Sequence, residues 1–130
     1  SIGEELLAPT RIYVKTVLNV VRDFPIHGIA HITGGGFTDN IPRVIPGGCK
    51  ATIQRGSWPI LPIFGILQER GNVSEEEMLR TFNNGIGMVF IVPYSKAGQI
   101  YDRLKELKEK PYWIGEVVKA GKGDPPIEYR

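Results

Sequence analysis

The segment from His27 to Arg43 concentrates the residue types able to do chemistry: His27, His31, the run Gly34-Gly35-Gly36, Asn40 and Arg43. A strand that ends in glycines and leads into a helix exposes backbone amides with no side chains in the way. Glycine accepts positive φ and close approach, so such amides can converge on an anion. The helix amino terminus adds partial positive charge. Thr33 and Thr38 carry hydroxyl donors, Asn40 carries an amide, and Arg43 can grip two phosphate oxygens at once. His31 shares a strand face with His27 by alternation and stands at the strand's carboxyl end, beside the glycines. The expected chemistry is therefore the holding of a phosphorylated ligand. A tight turn is the other reading of the glycines on spacing alone. The run matches neither the Walker loop nor the Gly-x-Gly-x-x-Gly dinucleotide fingerprint. The two histidines have no clustered cysteine or carboxylate, so no metal site is read from them. No Ser-His-Asp, Cys-His or paired-carboxylate arrangement can be argued either.

Two further stretches stand out. Thr81-Phe82-Asn83-Asn84-Gly85-Ile86-Gly87-Met88 sets amides and glycines immediately before an apolar run, and by itself reads as helix termination and a turn. Leu6-Leu7-Ala8-Pro9-Thr10-Arg11-Ile12-Tyr13 reads as the approach to a helix. Trp58 and Trp113 read as packing residues.

The elements that must position these residues follow from periodicity. Tyr13, Val14, Val17, Leu18 and Val21 predict a helix with one apolar face, ended by Asp23-Phe24-Pro25. Ile26–Thr33 predicts a short strand, and Phe37–Ile41 one or two helical turns before Pro42. Cys49–Gln54 predicts a second strand. Ile60–Arg70 predicts a helix, with Pro62 tolerated in its first turn and Gly71 placed to cap it. Ser74-Glu75-Glu76-Glu77 predicts a capping box and a helix through Phe82. Met88–Val92 predicts a buried strand, Ser95 caps a helix to Leu107, and Trp113–Val118 predicts the last strand. Residues 121–130 read as a tail. Strands and helices mix without strict alternation, so the expected class is α+β, a mixed sheet layered with helices.

Composition narrows the field further. The hydrophobic fraction of 42% and charged fraction of 23% suit a globular domain, and 130 residues suffice for one core. A net charge of +2 gives no case for a nucleic-acid or membrane partner. Lys105, Lys108 and Lys110 interleave with Glu106 and Glu109, as on a solvated helix face. Cys49 is the only cysteine, which excludes an intramolecular disulfide and fits a reducing, cytoplasmic setting. No apolar run approaches the roughly 18–20 residues that span a bilayer. Ser1-Ile2-Gly3-Glu4-Glu5 reads like the middle of a longer protein.

Taken together, the blocks at 6–13, 28–43 (Gly-Ile-Ala-His-Ile-Thr-Gly-Gly-Gly-Phe-Thr-Asp-Asn-Ile-Pro-Arg) and 81–88 resemble the phosphoribosylformylglycinamidine cyclo-ligase family, also called aminoimidazole ribonucleotide synthetases. The resemblance runs from Glu5 to Val118 and covers the carboxy-terminal half of that family's polypeptide. It implies a fold with partial ferredoxin-like similarity. It also implies that residues 1–130 form one carboxy-terminal domain of a two-domain enzyme, with the amino-terminal ATP-binding domain outside this chain. The implied reaction is an ATP- and Mg2+-dependent ring closure in purine (IMP) biosynthesis. ATP activates the formyl amide oxygen of formylglycinamidine ribonucleotide, and an internal nitrogen displaces phosphate to give aminoimidazole ribonucleotide. By analogy Thr33, Gly34, Gly35 and Gly36, with Asn40 and Arg43, hold the ribose phosphate or the transferring phosphoryl group. Asn83 and Gly85 line the wall beside them, and His31 is the candidate proton-transfer group. ATP and Mg2+ are held mainly by the amino-terminal half, the full-length protein is a homodimer, and this piece alone is inactive. The alternatives are a related superfamily enzyme, such as formylglycinamidine ribonucleotide synthetase, or a non-catalytic phosphate-binding or assembly module.

Overall fold

The computed structural model describes residues 1–130. In chain order the elements are α1 (Ile2–Leu6), α2 (Val14–Asp23), β1 (Gly28–His31), α3 (Gly36–Asn40), a 3-10 turn (Pro42–Val44), β2 (Cys49–Ile53), α4 (Pro62–Gly71), α5 (Glu75–Thr81), β3 (Met88–Ile91), α6 (Tyr94–Glu106), β4 (Gly115–Lys119) and β5 (Ile127–Tyr129). The α+β class expected from the sequence is observed, but the strands divide into two sheets. β1 pairs antiparallel with β3, His31 opposite Met88 and Gly28 opposite Ile91. β2 is the centre of a mixed sheet, antiparallel to β4 and parallel to β5.

Several expected boundaries shift for identifiable reasons. The ladder between β1 and its partner does cover His27 to Ile32, because the His27 amide donates to the Ile91 carbonyl and the Ile32 amide to the Gly87 carbonyl, each at 2.8 Å. α4 ends on Asn72, which takes the left-handed conformation at φ 50°, and Gly71 remains helical. The Ser74 box is half formed. The Ser74 hydroxyl accepts from the Glu77 amide at 3.2 Å, while the Glu77 carboxylate accepts from the Thr81 hydroxyl instead. α6 starts two residues earlier than expected, directly after Pro93, so Ser95 lies in its first turn and caps nothing. α1 was not expected; its Ser1–Glu4 capping box is complete.

The segment read as a tail contains β5. Lys50 reaches Asp124 at 2.9 Å and Glu128 at 2.7 Å from a largely buried position, fastening this strand along β2. A parallel partner brought in from far along the chain leaves no local periodicity to read. α2 also differs from expectation. Val20 is fully buried, whereas Val14, Leu18 and Val21 are 61%, 63% and 45% exposed. Its inward side meets α6 through polar contacts: Arg103 donates to Asn19 at 2.9 Å and Asp23 at 2.6 Å and lies over the Phe24 ring.

The core joins the two sheets through α3. Ala30, Ile32 and Val89 come from the first sheet, Ala51, Ile53 and Ile127 from the second, and Phe37, Ile41, Trp58 and Ile86 lie between them. Phe37, Ile32 and Ile41 are essentially sealed from water. Burial of each such side chain contributes about 1.5–3 kcal/mol. The carboxyl end of β1, where His31 stands, is thereby fixed over this core.

Candidate functional site

The three sequence blocks meet at the carboxyl end of β1. Ile32 bonds to Gly87, and a methyl group added at Gly36 would run into the backbone carbonyls of Leu79 and Phe82. Tyr13, from the first block, lies edge-on to His31, ring centroids 5.9 Å apart and planes at 67°. A methyl group on Gly87 would overlap the Tyr13 hydroxyl.

The glycine loop is a turn closed by the Gly36 amide donating to the Thr33 carbonyl at 3.0 Å. Gly35 and Gly36 have φ of 98° and 55°, a region where side chains are strained. Gly34 is exposed, and nothing lies near the position of an added methyl. The amides of Gly34, Gly35 and Thr38 have no acceptor within the chain, which leaves them free for an anion. Thr33 is exposed and its hydroxyl makes no bond within the chain, but the Thr38 hydroxyl is engaged with the Tyr129 phenol at 2.8 Å. Burial lifts that phenol's pKa above its ordinary value.

The Asn40 amide turns inward to the loop. It is buried, and its side-chain nitrogen donates to the carbonyls of Gly36 at 2.8 Å, Gly34 at 3.2 Å and Thr33 at 3.4 Å. Its work is internal: it ties the loop's carbonyls inward and so fixes the direction of the loop's amides. The second block has a similar brace. Asn84 sits at φ 50°, donates to Met78 and Phe82 carbonyls, and offers its own carbonyl to the Trp58 indole at 3.0 Å. The Asn83 side chain accepts from the Gly85 amide at 2.9 Å, closing the turn.

The expected site residues therefore fall into two groups. Thr33, Gly34, Gly35, Gly36 and Asn40 form one braced loop, with His31 exposed at its edge. Arg43 and Gly85 instead line a groove of ≈ 1590 Å³ between the two sheets, and the glycine loop does not line it. Arg11, Tyr13, His27 and Gly87 border the same groove. Arg43, exposed in the 3-10 turn, makes no ion pair and keeps its charge available. Arg11 is held by Glu109 at 2.9 Å, and Glu109 also accepts from the Thr16 hydroxyl at 3.0 Å. Tyr13 and Gly87 lie inside the sequence blocks that marked this region. No local pattern singled them out, because their relation is a tertiary fit. No group of three or more His, Cys, Asp or Glu side chains is disposed to hold a metal ion, and no helix is long and apolar enough to cross a membrane.

Comparison with known proteins identifies the family of the chain. Residues 1–127 match the family model described as AIR synthase related protein, C-terminal domain. The chain is 56% identical over 128 residues to the phosphoribosylformylglycinamidine cyclo-ligase of Syntrophotalea carbinolica, covering 98% of this chain and 37% of that protein. It is 55% identical over 128 residues to the cyclo-ligase of Geobacter metallireducens, with the same coverage. To that of Syntrophus aciditrophicus it is 57% identical over 120 residues, 92% of this chain and 35% of that protein. The chain thus spans a little over a third of the length of these relatives. In fold it is similar to the crystal structure of thiamine-monophosphate kinase from Stenotrophomonas maltophilia K279a. That likeness has a TM-score of 0.64 at 13% identity and covers 88% of this chain and 34% of the kinase. Matched over almost its whole length, with the three blocks folded against one another, the chain belongs to the AIR synthase related family as its C-terminal domain.

Proposed function

We propose that this chain is the carboxy-terminal domain of an ATP-dependent cyclo-ligase that converts formylglycinamidine ribonucleotide to aminoimidazole ribonucleotide in purine biosynthesis. The observation that carries this reading is the identity of more than half of the residues, over 98% of the chain, with proteins named phosphoribosylformylglycinamidine cyclo-ligase. ATP with Mg2+, bound mainly by an amino-terminal domain, supplies the phosphoryl group that activates the formyl amide oxygen. This chain's residues bind and orient. The unpartnered amides of Gly34 and Gly35, with the Thr33 hydroxyl, present donors for a phosphate or a developing negative charge. Arg43 brings an unpaired cation from the groove side, and Asn83 and Gly85 shape the adjoining turn. His31, exposed beside the loop, is positioned to move a proton.

Such a domain works with its own amino-terminal ATP-binding domain in a homodimeric, cytoplasmic protein, and is inactive by itself. The outward apolar residues Leu6, Leu7, Ile12, Val14 and Leu18, all more than half exposed, support a covering partner there. The test is an assay of the full-length protein with formylglycinamidine ribonucleotide, ATP and Mg2+ and no glutamine. Aminoimidazole ribonucleotide is the expected product. Turnover only when glutamine and the unclosed amide precursor are supplied would refute the reading. Arg43→Ala is expected to raise the substrate KM about tenfold, and unchanged kinetics would remove Arg43 from the site.

A further inference from the structure

Tyr13 is the residue at which the three sequence blocks touch. Its ring lies edge-on to His31, and the Arg11 guanidinium lies 5.9 Å from its centroid. The Arg11–Glu109 pair and the Thr16–Glu109 hydrogen bond hold the backbone on either side of it. The three atoms that a methyl group on Gly87 would meet first all belong to this one tyrosine: its hydroxyl, Cζ at 2.9 Å and Cε2 at 3.3 Å. Gly87 does not have a positive φ, so no left-handed turn demands glycine there. The tyrosine does. Yet the hydroxyl that this glycine admits has no hydrogen-bond partner in the chain and is not sealed from solvent. Open to solvent and unbonded within the chain, it is free to donate to a bound molecule. The tyrosine borders the groove together with Gly87 and Arg43.

We propose that the Tyr13 hydroxyl is a ligand-binding donor of this site, directed at an oxygen of the phosphorylated substrate, with Gly87 as the seat that allows it to stand there. The proposal rests on the function proposed above for its choice of ligand. Burial raises the Tyr13 pKa, so the phenol remains protonated and able to donate through the neutral range. The ring itself steadies His31, and the two duties belong to different atoms of one side chain.

Tyr13→Phe in the full-length protein separates them. The substrate KM is expected to rise about fivefold to tenfold with kcat within about twofold, the loss of one hydrogen bond. The His31 imidazole resonances should stay in place, because the ring is kept, and Tyr13→Leu should move them. An unchanged KM in Tyr13→Phe overturns the proposal. Gly87→Ala is expected to lower kcat/KM at least tenfold in the wild-type background and hardly at all in a Tyr13→Ala background. Equal losses in both backgrounds overturn the seat assignment. If the wild-type protein makes no aminoimidazole ribonucleotide, the functional reading fails separately. The hydroxyl is then tested by calorimetry with ribose 5-phosphate as the probe: weaker binding to Tyr13→Phe than to wild type supports the proposal, and equal or absent binding overturns it.

Discussion

Two glycine-rich turns in this chain look alike on paper and differ entirely in their surroundings. Gly35 and Gly36 have positive φ, and each also abuts protein: the Asp39 side chain for Gly35, the backbone carbonyls of Leu79 and Phe82 for Gly36. Gly47 and Gly48 open onto empty space, and only Gly48 has positive φ. In the first turn glycine is required by packing and backbone together; in the second, one residue needs only its backbone freedom. A glycine run therefore carries two separate messages, and sequence spacing conveys neither.

The largest expected effect is that of Gly36→Ala. Left-handed strain and collision with two carbonyls should cost at least about 3 kcal/mol in denaturant unfolding. A loss under about 1 kcal/mol would mean that α5 can withdraw and that the loop is not fixed by it. Asn40→Ala removes the donor shared by three loop carbonyls and should cost about 2 kcal/mol, with a weakened phosphate response in the full-length protein. Gly48→Ala should cost about 1–2 kcal/mol from φ alone. Gly47→Ala should stay within about 0.5 kcal/mol of wild type, and a larger loss would show that this turn has a hidden partner.

A final, smaller effect concerns pH. Hydrogen bonds from Arg22 and then Arg103 lower Asp23 from 3.8 to about 2. A depressed carboxyl pKa stabilises the folded state above the unfolded value and ceases to do so as pH falls through the folded one. The contact between α2 and α6 should therefore weaken between about pH 4 and pH 2. Asp23→Asn should flatten that part of the acid-unfolding curve while leaving the glycine loop's response unaltered.

Much of the frame was legible in the sequence because it is written locally. Five of the six helices announce themselves by apolar spacing, by Pro62 or by the Ser74 cap; β1 and β3 are short, largely apolar runs between turn residues, and β2 shows alternation with Ala51 and Ile53 on one face. What was illegible is tertiary. β5 depends on a parallel partner far away in sequence and on the Lys50 contacts. The outward stripe of Val14, Leu18 and Val21 has the same periodicity as a buried one, so pattern alone cannot tell which side is covered. At the site, the glycine loop and His31 were readable as residue types beside a strand end. Asn40 and Asn84 were readable as amides, but their direction was not: both turn inward to carbonyls. Tyr13 and Gly87 are matched by shape, which one strand of sequence cannot express.

The seating of Gly36 against the last turn of α5 has a kinetic meaning. If the loop takes the phosphorylated ligand proposed above, the packing of Gly36 has already fixed its shape, and binding has little chain to order. Capture at this wall should then be limited by diffusion and by whatever closes from the opposite side. A slow, temperature-sensitive step in binding would belong to the movement of that other surface, with the loop itself acting as the anvil against which it closes.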